Sequence, residues 1–356
     1  MNEVEELTRE LVRVPSHGDE TEAGDFIESW LRDETDATVE RDGIGNVVAH
    51  RGGTEIALVG HHDTVPPAEG QVEDGAPTVE KRDGRLYGRG TADMKGALAA
   101  AMVAFRDADA TDTAFASFVG EETGGRGAEH ATENGFVPNR AVVVEGSAGY
   151  SSPSAFDVVV AHRGRREVRV TAQGEAEHAG DADGNTNAVY KAVDAINQIR
   201  RYENGTATVK VGKESLSIEG KATVTRVKGH GEATNVTPSR CEFTVDQRTV
   251  PDAGSDTLDF GLGTDVSAEA VDEMPPMACD DPDFARTVRD AARSTGASEF
   301  VTKPHATDAG RLAETGVSTV VCGPAERGEA HTDDESVSVD AVVRASEVYQ
   351  RVLEES

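Results

Sequence analysis

Apolar positions along the chain follow two spacings, one typical of helices and one typical of strands. Residues 4–12 and 23–33 place apolar side chains three and four positions apart, which predicts two amphipathic helices. Short β-branched runs then predict four strands, NVVAHR, EIALVG, AFASFVG and AVVVEG, and the alanine-rich DMKGALAAAMVAF predicts a helix between the second and third. This alternation indicates an α/β fold with a mostly parallel sheet that is covered on both faces.

A different pattern follows Glu145. Apolar and polar positions alternate in DVVVAHRG, REVRVTAQG, SLSIEGKATVTRVKG and RCEFTVDQRTV, with one helical segment, NTNAVYKAVDAINQIRRY, among them. These elements predict a compact inserted α+β domain over residues 162–271, within the usual size range of domains. The helical DPDFARTVRDAARST and the strand-like VSTVVCG return to the first pattern. We therefore expect one domain of residues 1–161 and 272–356, interrupted by the insertion.

The charge balance of the chain disfavours some classes of function. The chain has 35 Lys and Arg against 66 Asp and Glu, a formal net charge of −31, which opposes binding to phosphate backbones and disfavours a nucleic-acid partner. Because the apolar periodicity is regular, we interpret this acid as the hydrated surface of a folded, halophilic protein rather than as disorder. The three cysteines show no CxxC spacing. Any metal is therefore expected to be held by histidines and carboxylates.

No apolar run approaches the ~20 residues that a helix needs to cross a bilayer. The first residues, MNEVEELTREL, form a charged amphipathic segment that does not resemble a signal peptide. The sequence therefore predicts a cytoplasmic protein with no membrane partner.

Groups suited to metal binding follow several of the predicted strands. LVGHHDTV places His61 and Asp63 on one face at a strand end, so that Asp63 can accept a hydrogen bond from one ring nitrogen of His61 while the other faces a metal. Further candidates lie in comparable positions on other elements: Asp93, Glu121, Glu122, Glu145 and His331. Each has an ordinary alternative when taken alone, such as a helix cap, a solvated loop charge or a surface histidine.

Taken together, these candidates favour a metal site. They all follow strands or precede helices of one inferred sheet, and open α/β sheets build their sites at the carboxyl ends of their strands. The donor types suit two zinc-like ions that share a carboxylate, lie roughly 3.5 to 4 Å apart and jointly polarise a water. Asp93 is the natural bridge, and Glu121, next to a ligand but pointing elsewhere, is the natural general base.

The motifs that hold these residues are GHHDTV, GRGTADMKG, GEETGG, VVVEG and AHT, and further matches are HRG, EHAGDADGNTNA, NVTP, DQR and TDA. In these motifs and their order, the chain resembles the metal-dependent amidohydrolases and peptidases that include succinyl-diaminopimelate desuccinylase, acetylornithine deacetylase, aminoacylase and glutamate carboxypeptidase. The resemblance spans nearly the whole chain. It implies a zinc-peptidase-like catalytic domain of residues 1–161 and 272–356, with a lid and dimerisation domain at 162–271.

The resemblance also implies roles for the candidate residues. It assigns five metal ligands, with Asp93 as the bridge: His61, Asp93, Glu122, Glu145 and His331. Asp63 then steadies His61, and Glu121 is the proton shuttle. A cis peptide bond is implied between Asp93 and Met94. The cofactors would be two divalent ions, with Zn preferred and Co or Mn also suitable.

Four further residues are implied to act on the substrate. In the family, a histidine matching His178 reaches from the lid into the partner subunit's site and stabilises the tetrahedral oxyanion, so a homodimer formed through the lid is expected. Arg248 and Asn235 match residues that hold the substrate carboxylate and neighbouring polar atoms, and a guanidinium fork suits a carboxylate. Thr307, in the TDA match, is a further candidate for substrate binding.

The expected reaction is hydrolysis of the amide bond of an N-acyl amino acid, by a desuccinylase-like or deacetylase-like enzyme. Glu145 is the residue that deacylase and carboxypeptidase members carry, whereas aminopeptidase members tend to have aspartate there. Two segments depart from the family pattern, EG after the fourth strand and PHATDAG in place of a GGT-type stretch, and they leave the acyl group open.

Three alternatives remain at the level of sequence. A dipeptidase or carboxypeptidase acting on short peptides would use the same metal site, and a carbamoyl or ureido hydrolase shares the scaffold. A binding protein without catalysis belongs to a different class. It is disfavoured because Glu121 and all five ligand types are intact.

Overall fold

The computed structural model describes residues 2–182, 184–231, 233–251 and 260–355. Residue 183, within the EHAGDADGNTNA match, lies outside these ranges. The helices are α1 Glu3–Arg13, α2 Thr21–Glu34, α3 Gly96–Asp107, α4 Arg126–Glu133, α5 Ala188–Ile199, α6 Pro282–Arg293, α7 Ala309–Glu314 and α8 Val339–Glu355.

The strands are short, and many follow the apolar runs of the sequence. They are β1 Thr38–Arg41, β2 Val47–Arg51, β3 Ile56–His61, β4 Val72–Glu73, β5 Ala76–Pro77, β6 Glu80–Arg82, β7 Arg85–Tyr87, β8 Thr113–Phe118, β9 Arg140–Val143, β10 Val158–His162, β11 Arg165–Gln173, β12 Thr206–Val211, β13 Glu214–Glu219, β14 Lys221–Gly229, β15 Arg240–Arg248, β16 Val266–Met274, β17 Met277–Ala278, β18 Phe300–Lys303, β19 Ser318–Val321 and β20 Ser336–Ser338.

The main sheet has nine strands, in the order β1-β2-β8-β3-β9-β19-β10-β17, with β18 pairing to β10. Its four central strands, β8, β3, β9 and β19, run parallel to one another. This confirms the predicted mixed α/β fold with a mostly parallel sheet centre. Because the central strands are parallel, their carboxyl ends share one edge of the sheet, and the loops that follow them meet there.

Both faces of this sheet are covered by helices. Leu58 and Val142 point into a core with α1, α3 and α8, whereas Val59 and Val143 point into a second core with α4 and α7. Strands buried on both faces read as continuous apolar runs, which explains the unbroken IALVG and AVVV segments. The alanine-rich α3 is buried from Gly96 to Phe105.

The predicted start of α3 is wrong by three residues. Asp93 and Met94 have non-helical backbone angles and lie in a wide turn, Thr91–Lys95, so the regular helix begins only at Gly96. The peptide bond between Asp93 and Met94 is cis, which confirms that expectation. The turn sets the Asp93 carboxylate at the sheet edge instead of along a helix axis.

A second sheet, in the order β14-β15-β11-β16, packs α5 against one face. The predicted strand SLSIEGKATVTRVKG is interrupted at Gly220, because its halves pair in different sheets. Its first half, β13, pairs with β12, and this hairpin packs on α6 while Val209 and Val211 join the main core. Part of the predicted inserted segment therefore packs with the main domain, and the exact domain limits stay a prediction.

Among the described residues, none of the helices combines the length and the hydropathy that a membrane crossing requires.

Gly127 provides a test of the packing beside the β8 loop. A Cβ at this position would lie 2.3 Å from the carbonyl oxygen of Val119 and 2.7 Å from Asn46 Oδ1. Ala normally favours a helix over Gly by about 1 kcal/mol, but overpacking against backbone costs about 1 to 3 kcal/mol. We expect Gly127→Ala to lower the free energy of unfolding, measured by urea titration at constant high salt. Gly43→Ala is the control, since nothing lies within 4 Å of its Cβ; equal stability of the two variants would contradict this packing.

Candidate metal centre

Two groups of side chains that could hold a metal ion meet at the carboxyl edge of the main sheet. His61, Glu121 and Glu145 form one, and a second contains Asp93, Glu122 and His331. Within each group, one ligand atom of every member lies within 4.8 Å of the others. The structure therefore brings the five sequence-predicted ligands and Glu121 together in one cleft.

Asp63 orients the side chain of His61 and holds the turn that carries Glu121 and Glu122. His61 is the last residue of β3 and is buried, with Nδ1 3.3 Å from Asp63 Oδ1. Both Asp63 oxygens also accept backbone N–H groups, from Glu121 at 3.1 Å and from Glu122 at 3.0 Å. Burial alone would raise the pKa of Asp63, but His61 and these two amides hold it below its usual value. One carboxylate thus orients the imidazole and positions both glutamates.

Asp93 lies between the two groups. Its Oδ1 is 3.1 Å from Nε2 of His61, and its Oδ2 is 3.2 Å from Nε2 of His331. Although burial opposes ionisation, the contacts to His331 and His61 lower the pKa of Asp93. A carboxylate with one oxygen toward each group has the arrangement that a ligand shared by two ions requires.

The two histidines hold protons in the absence of a metal. His331 lies in the loop after β19, half-exposed, with a left-handed φ of 63°. Hydrogen bonds to Asp93 and to Glu122, the latter at 2.8 Å, raise the pKa of His331 to about 10. For His61, burial lowers the pKa, but hydrogen bonds to Asp63 and Asp93 outweigh it and hold the pKa well above its usual value.

The glutamates of the first group are poorly neutralised. Burial and the neighbouring Glu145 raise the pKa of Glu121 well above its usual value. Burial also raises the pKa of Glu145, against the opposing charge of Lys303, whose Nζ lies 2.8 Å from Oε2. The other oxygen of Glu145, Oε1, is buried and has no hydrogen-bond partner among the described residues. A buried oxygen without a partner costs about 1 to 3 kcal/mol, which a bound cation would offset.

The donor set therefore fits divalent ions. Histidine nitrogens with carboxylate oxygens accept Zn, Co and Mn alike. The buried oxygen of Glu145 and the central position of Asp93 both agree with such ions. The identity of the metal stays a prediction.

Sequence reasoning missed a buried ion pair that supports the Asp93 turn. Glu335 is fully buried, and its Oε1 accepts the backbone N–H groups of Ala92, at 3.0 Å, and Asp93, at 3.2 Å. Its second oxygen, Oε2, is paired with Arg89. A signal was present in HTDDESVSV, where Glu335 lies between His331 and an alternating, strand-like segment.

The cleft opens into a cavity of about 430 Å³, lined by the acidic cluster and by residues at the end of the second sheet. Arg248 lies on its wall, and its guanidinium fork contacts Asp246 at 2.7 and 3.0 Å. Thr307 does not reach the wall. It is fully buried, and its hydroxyl bonds Nε2 of His162 at 3.1 Å, because the loop after β18 turns it inward.

His178 and Asn235 lie together on the second domain, outside the lining of this cavity. The side chain of His178 is 61% exposed, and the residue forms a bridge with Val236. Asn235 is exposed, and its carbonyl oxygen accepts the N–H of Ala179 at 2.8 Å. The structure does not bring either residue to the acidic cluster of its own chain.

The sequence model of Peptidase family M20/M25/M40 matches residues 57–355. The chain belongs to this family. The relationship expected from the motifs is thus confirmed at the level of M20/M25/M40, and the desuccinylase or deacetylase branch stays a prediction.

Solved structures share the M20/M25/M40 fold along almost the whole chain. Aminopeptidase PepT from Bacillus cereus ATCC 10987 has a TM-score of 0.79 and 21% identity, covering 99% of this chain and 98% of its own. The Bacillus subtilis YXEP protein, described as a dinuclear metal-binding peptidase, has a TM-score of 0.73 and 16% identity, covering 99% and 96%. Human carnosine dipeptidase 1 has a TM-score of 0.69 and 14% identity, covering 99% and 95%.

Membership in peptidase family M20/M25/M40 identifies the protein as a metal-dependent hydrolase that acts on amide or peptide bonds. This confirms the predicted enzyme class.

Several cavity residues of this M20/M25/M40 protein were not singled out from the sequence: Tyr150, Arg165, Lys303, His305 and Arg327. For one of them a signal existed. The stretch PHATDAG departs from the family pattern, and it contains His305. The others lie in loops or at the ends of strands, where residue spacing gives no indication of the surface they face.

Metal binding should release protons from this centre. In the metal-free protein, the raised pKa values keep His331 and His61 protonated at about pH 7, because a group holds its proton below its pKa. An imidazole ligand must be neutral, so loading with Zn should expel these protons. Calorimetric titration in buffers of different ionisation enthalpy measures the number released.

We expect His331→Asn to reduce the release by about one proton per chain. His17→Asn is the matched control, since His17 is an exposed loop residue outside both groups. Binding heats that do not depend on the buffer would contradict the protonated state of the metal-free centre.

Proposed function

We propose that this protein is a dinuclear metal hydrolase that cleaves the amide bond of an N-acyl amino acid. The proposed ligands are His61, Asp93, Glu122, Glu145 and His331, with Asp93 shared between the ions. The observation that supports this most directly is the position of Asp93, whose two oxygens contact His61 and His331 separately. Zn is the proposed metal, with Co and Mn as alternatives that the same donors accept.

The bound ions would supply Lewis acidity, which polarises the amide carbonyl and makes water a better nucleophile. Glu121 is the proposed general base and acid. It takes the proton from the attacking water and returns it to the departing amine. Burial and Glu145 raise its pKa, which is the direction that general acid–base catalysis by a carboxyl group at neutral pH favours.

Other residues of the chain position these groups. Asp63 holds the ring of His61 and, through two backbone amides, the turn that carries Glu121. Glu335 holds the backbone of Asp93 in the same way. Both carboxylates accept hydrogen bonds from fixed donors, so the site is preorganised before substrate arrives.

Arg248 is the proposed partner of the substrate carboxylate. It lines the cavity, and a guanidinium offers the bidentate geometry that a carboxylate accepts. Its present contact with Asp246 leaves part of the fork engaged, so a substrate would share or displace that contact. Asn235 is proposed to bind polar atoms of a substrate in the partner's site, together with His178.

A dipeptidase or carboxypeptidase activity is the second candidate. The fold neighbours include an aminopeptidase and a dipeptidase, and the metal cluster would serve a peptide bond equally well. Glu145 occupies the position where aminopeptidases tend to have aspartate, which disfavours an aminopeptidase but is compatible with both a deacylase and a carboxypeptidase. A panel of both substrate types decides between the two.

The experiment is metal analysis combined with hydrolysis of N-succinyl, N-acetyl and dipeptide substrates in high salt. We expect about two divalent ions per chain and turnover of one substrate class. Glu121→Gln should keep the metals and lose about 10²- to 10⁴-fold in kcat, the usual contribution of a general base. Glu133→Gln, an exposed change of the same kind on α4, should retain activity.

Different outcomes separate the parts of this proposal. Two metals without turnover of any panel member would leave the site intact and remove the substrate assignment. An active Glu121→Gln variant would remove the proposed base. Protein that binds no metal after loading would contradict the whole assignment.

We also propose that the protein is a homodimer through residues 162–271, in which His178 completes the partner's site. His178 is largely exposed and lies outside its own cavity, while β14 leaves an open sheet edge on the same domain. In a dimer of this kind, each subunit would supply the oxyanion donor to the other.

Subunit mixing tests this arrangement. Glu121→Gln and His178→Ala should each be nearly inactive alone, since each removes one half of every site. Random pairing of equal amounts should restore about a quarter of the wild-type turnover, because half of the dimers then contain one intact site. Size-exclusion chromatography verifies that each variant and the mixture are dimeric. Activity in His178→Ala alone, or no recovery on mixing, would contradict a role across the interface.

A further inference from the structure

The hairpin formed by β12 and β13 packs against the main sheet, although the chain reaches it from the second sheet and then returns there. It follows α5, which packs on the second sheet, and it leads into β14 at one edge of that sheet. The two ends of the hairpin meet at a narrow neck, where the N–H of Gly220 donates to the carbonyl oxygen of Gly205 at 2.9 Å. The hairpin is therefore a side arm of the second sheet that contacts the main one.

One face of the hairpin is buried, and the two ends of that face contact different parts of the molecule. Val209 and Val211 belong to the main core, where the hairpin contacts α6 and β18. Ala207 and Ile218 lie nearer the neck and form a small buried cluster with Val250, which follows β15 of the second sheet. The same face thus joins the main core to the second sheet.

Two arginines bond the hairpin to the main sheet and its helices. Arg289 of α6 lies 2.5 Å from Glu214, and its guanidinium is 3.9 Å from the centroid of the Phe300 ring. Arg163 follows β10, at the point where the chain passes to the second sheet, and its Nε donates to the carbonyl oxygen of Glu219 at 2.5 Å. Because Glu219 is the last residue of β13, this bond holds the neck of the hairpin beside the crossing.

The end of the second sheet that faces the main sheet is supported at both outer strands, β14 and β16. Arg311 of α7 donates to the carbonyl oxygen of Glu273, near the end of β16, at 2.6 Å. The hairpin supports the other outer strand, because only Gly220 separates it from β14. Arg165 and Arg248 lie at this end and line the cavity, so the position of this end sets the width of the cavity.

We propose that the β12–β13 hairpin is a clamp that fixes the orientation of the second sheet relative to the main sheet. Withdrawal of the hairpin would expose Val209 and Val211 to water, which opposes its release. Rotation about a hinge requires segments that can change conformation without breaking packed contacts, and the bond from Arg163 to the hairpin restrains one such segment. The clamp belongs to the chain itself, so the protein should hold one orientation with or without Zn.

A distance measurement between two spin labels tests the clamp and needs no turnover. The labels are attached at Asp194→Cys on α5 and at Glu347→Cys on α8, both exposed positions, whereas the native cysteines are buried. Labelled chains are mixed with an excess of unlabelled chains, so that distances within one chain dominate the signal. We expect electron paramagnetic resonance to give a single narrow distance distribution that Zn does not change.

Two variants weaken the clamp from different sides. Ile218→Ala removes the buried contact with Val250, and Arg163→Met removes the hydrogen bond to Glu219 while it keeps most of the aliphatic chain. Each should widen the distance distribution by about twofold or more, because a sheet supported at one edge can rotate about that edge.

The matched controls lie on α2, away from the hairpin. Ile27→Ala removes the same side chain from a buried position in the main core, and Arg32→Met removes an exposed guanidinium. Ile27→Ala should lower the stability of the protein, but neither control should widen the distribution.

Circular dichroism establishes whether each variant is folded. If Ile218→Ala does not fold, Arg163→Met decides alone, because the side chain of Arg163 is partly exposed. A broad or two-peaked distribution with the hairpin intact would overturn the clamp, and so would a narrow distribution in every folded variant. Neither result depends on hydrolysis, so failure of the clamp and failure of the proposed function are distinguishable.

Discussion

The contact that the rest of the site depends on is the one between Asp93 and two histidines from different parts of the chain. His61 ends a central strand, and His331 lies 270 positions later, in the loop before β20. Asp93 can join them because the wide turn before α3 carries its carboxylate to the sheet edge. Glu335, paired with Arg89, holds that turn by its backbone. The alanine-rich α3, buried against α8, anchors the turn from the other side.

The cluster of carboxylates around this contact is electrostatically unfavourable in the metal-free protein. Glu121 and Glu145 are drawn into a space with little water, and each raises the electrostatic cost of ionising the other. Positive groups of the protein offset part of this cost: protonated histidines beside Asp93, and the ammonium of Lys303 beside Glu145. Divalent ions would replace those protons. The same carboxylates therefore define both the affinity of the centre for metals and its dependence on pH.

Much of this centre could be predicted from the sequence because its ligands follow apolar runs. His61 ends a central strand, Glu122 and Glu145 lie in the loops that follow two others, and parallel strands bring their carboxyl ends together. Periodicity failed where the backbone departs from regular geometry. It extended α3 back to Asp93, and it joined two strands at Gly220 that pair in different sheets. The basic side chains of the cavity lining could not be predicted from residue spacing. The direction of a loop side chain such as Arg327 depends on tertiary packing.

The contact between Lys303 and Glu145 joins the acidic cluster to the basic side chains of the cavity lining. Lys303 occupies Oε2 of Glu145, which leaves Oε1 as the oxygen available to a cation. Burial raises the pKa of Glu145, and the charge of Lys303 opposes that shift. Lys303 therefore favours the ionised carboxylate that a metal would need, while it leaves one oxygen of that carboxylate free of hydrogen bonds within the described chain.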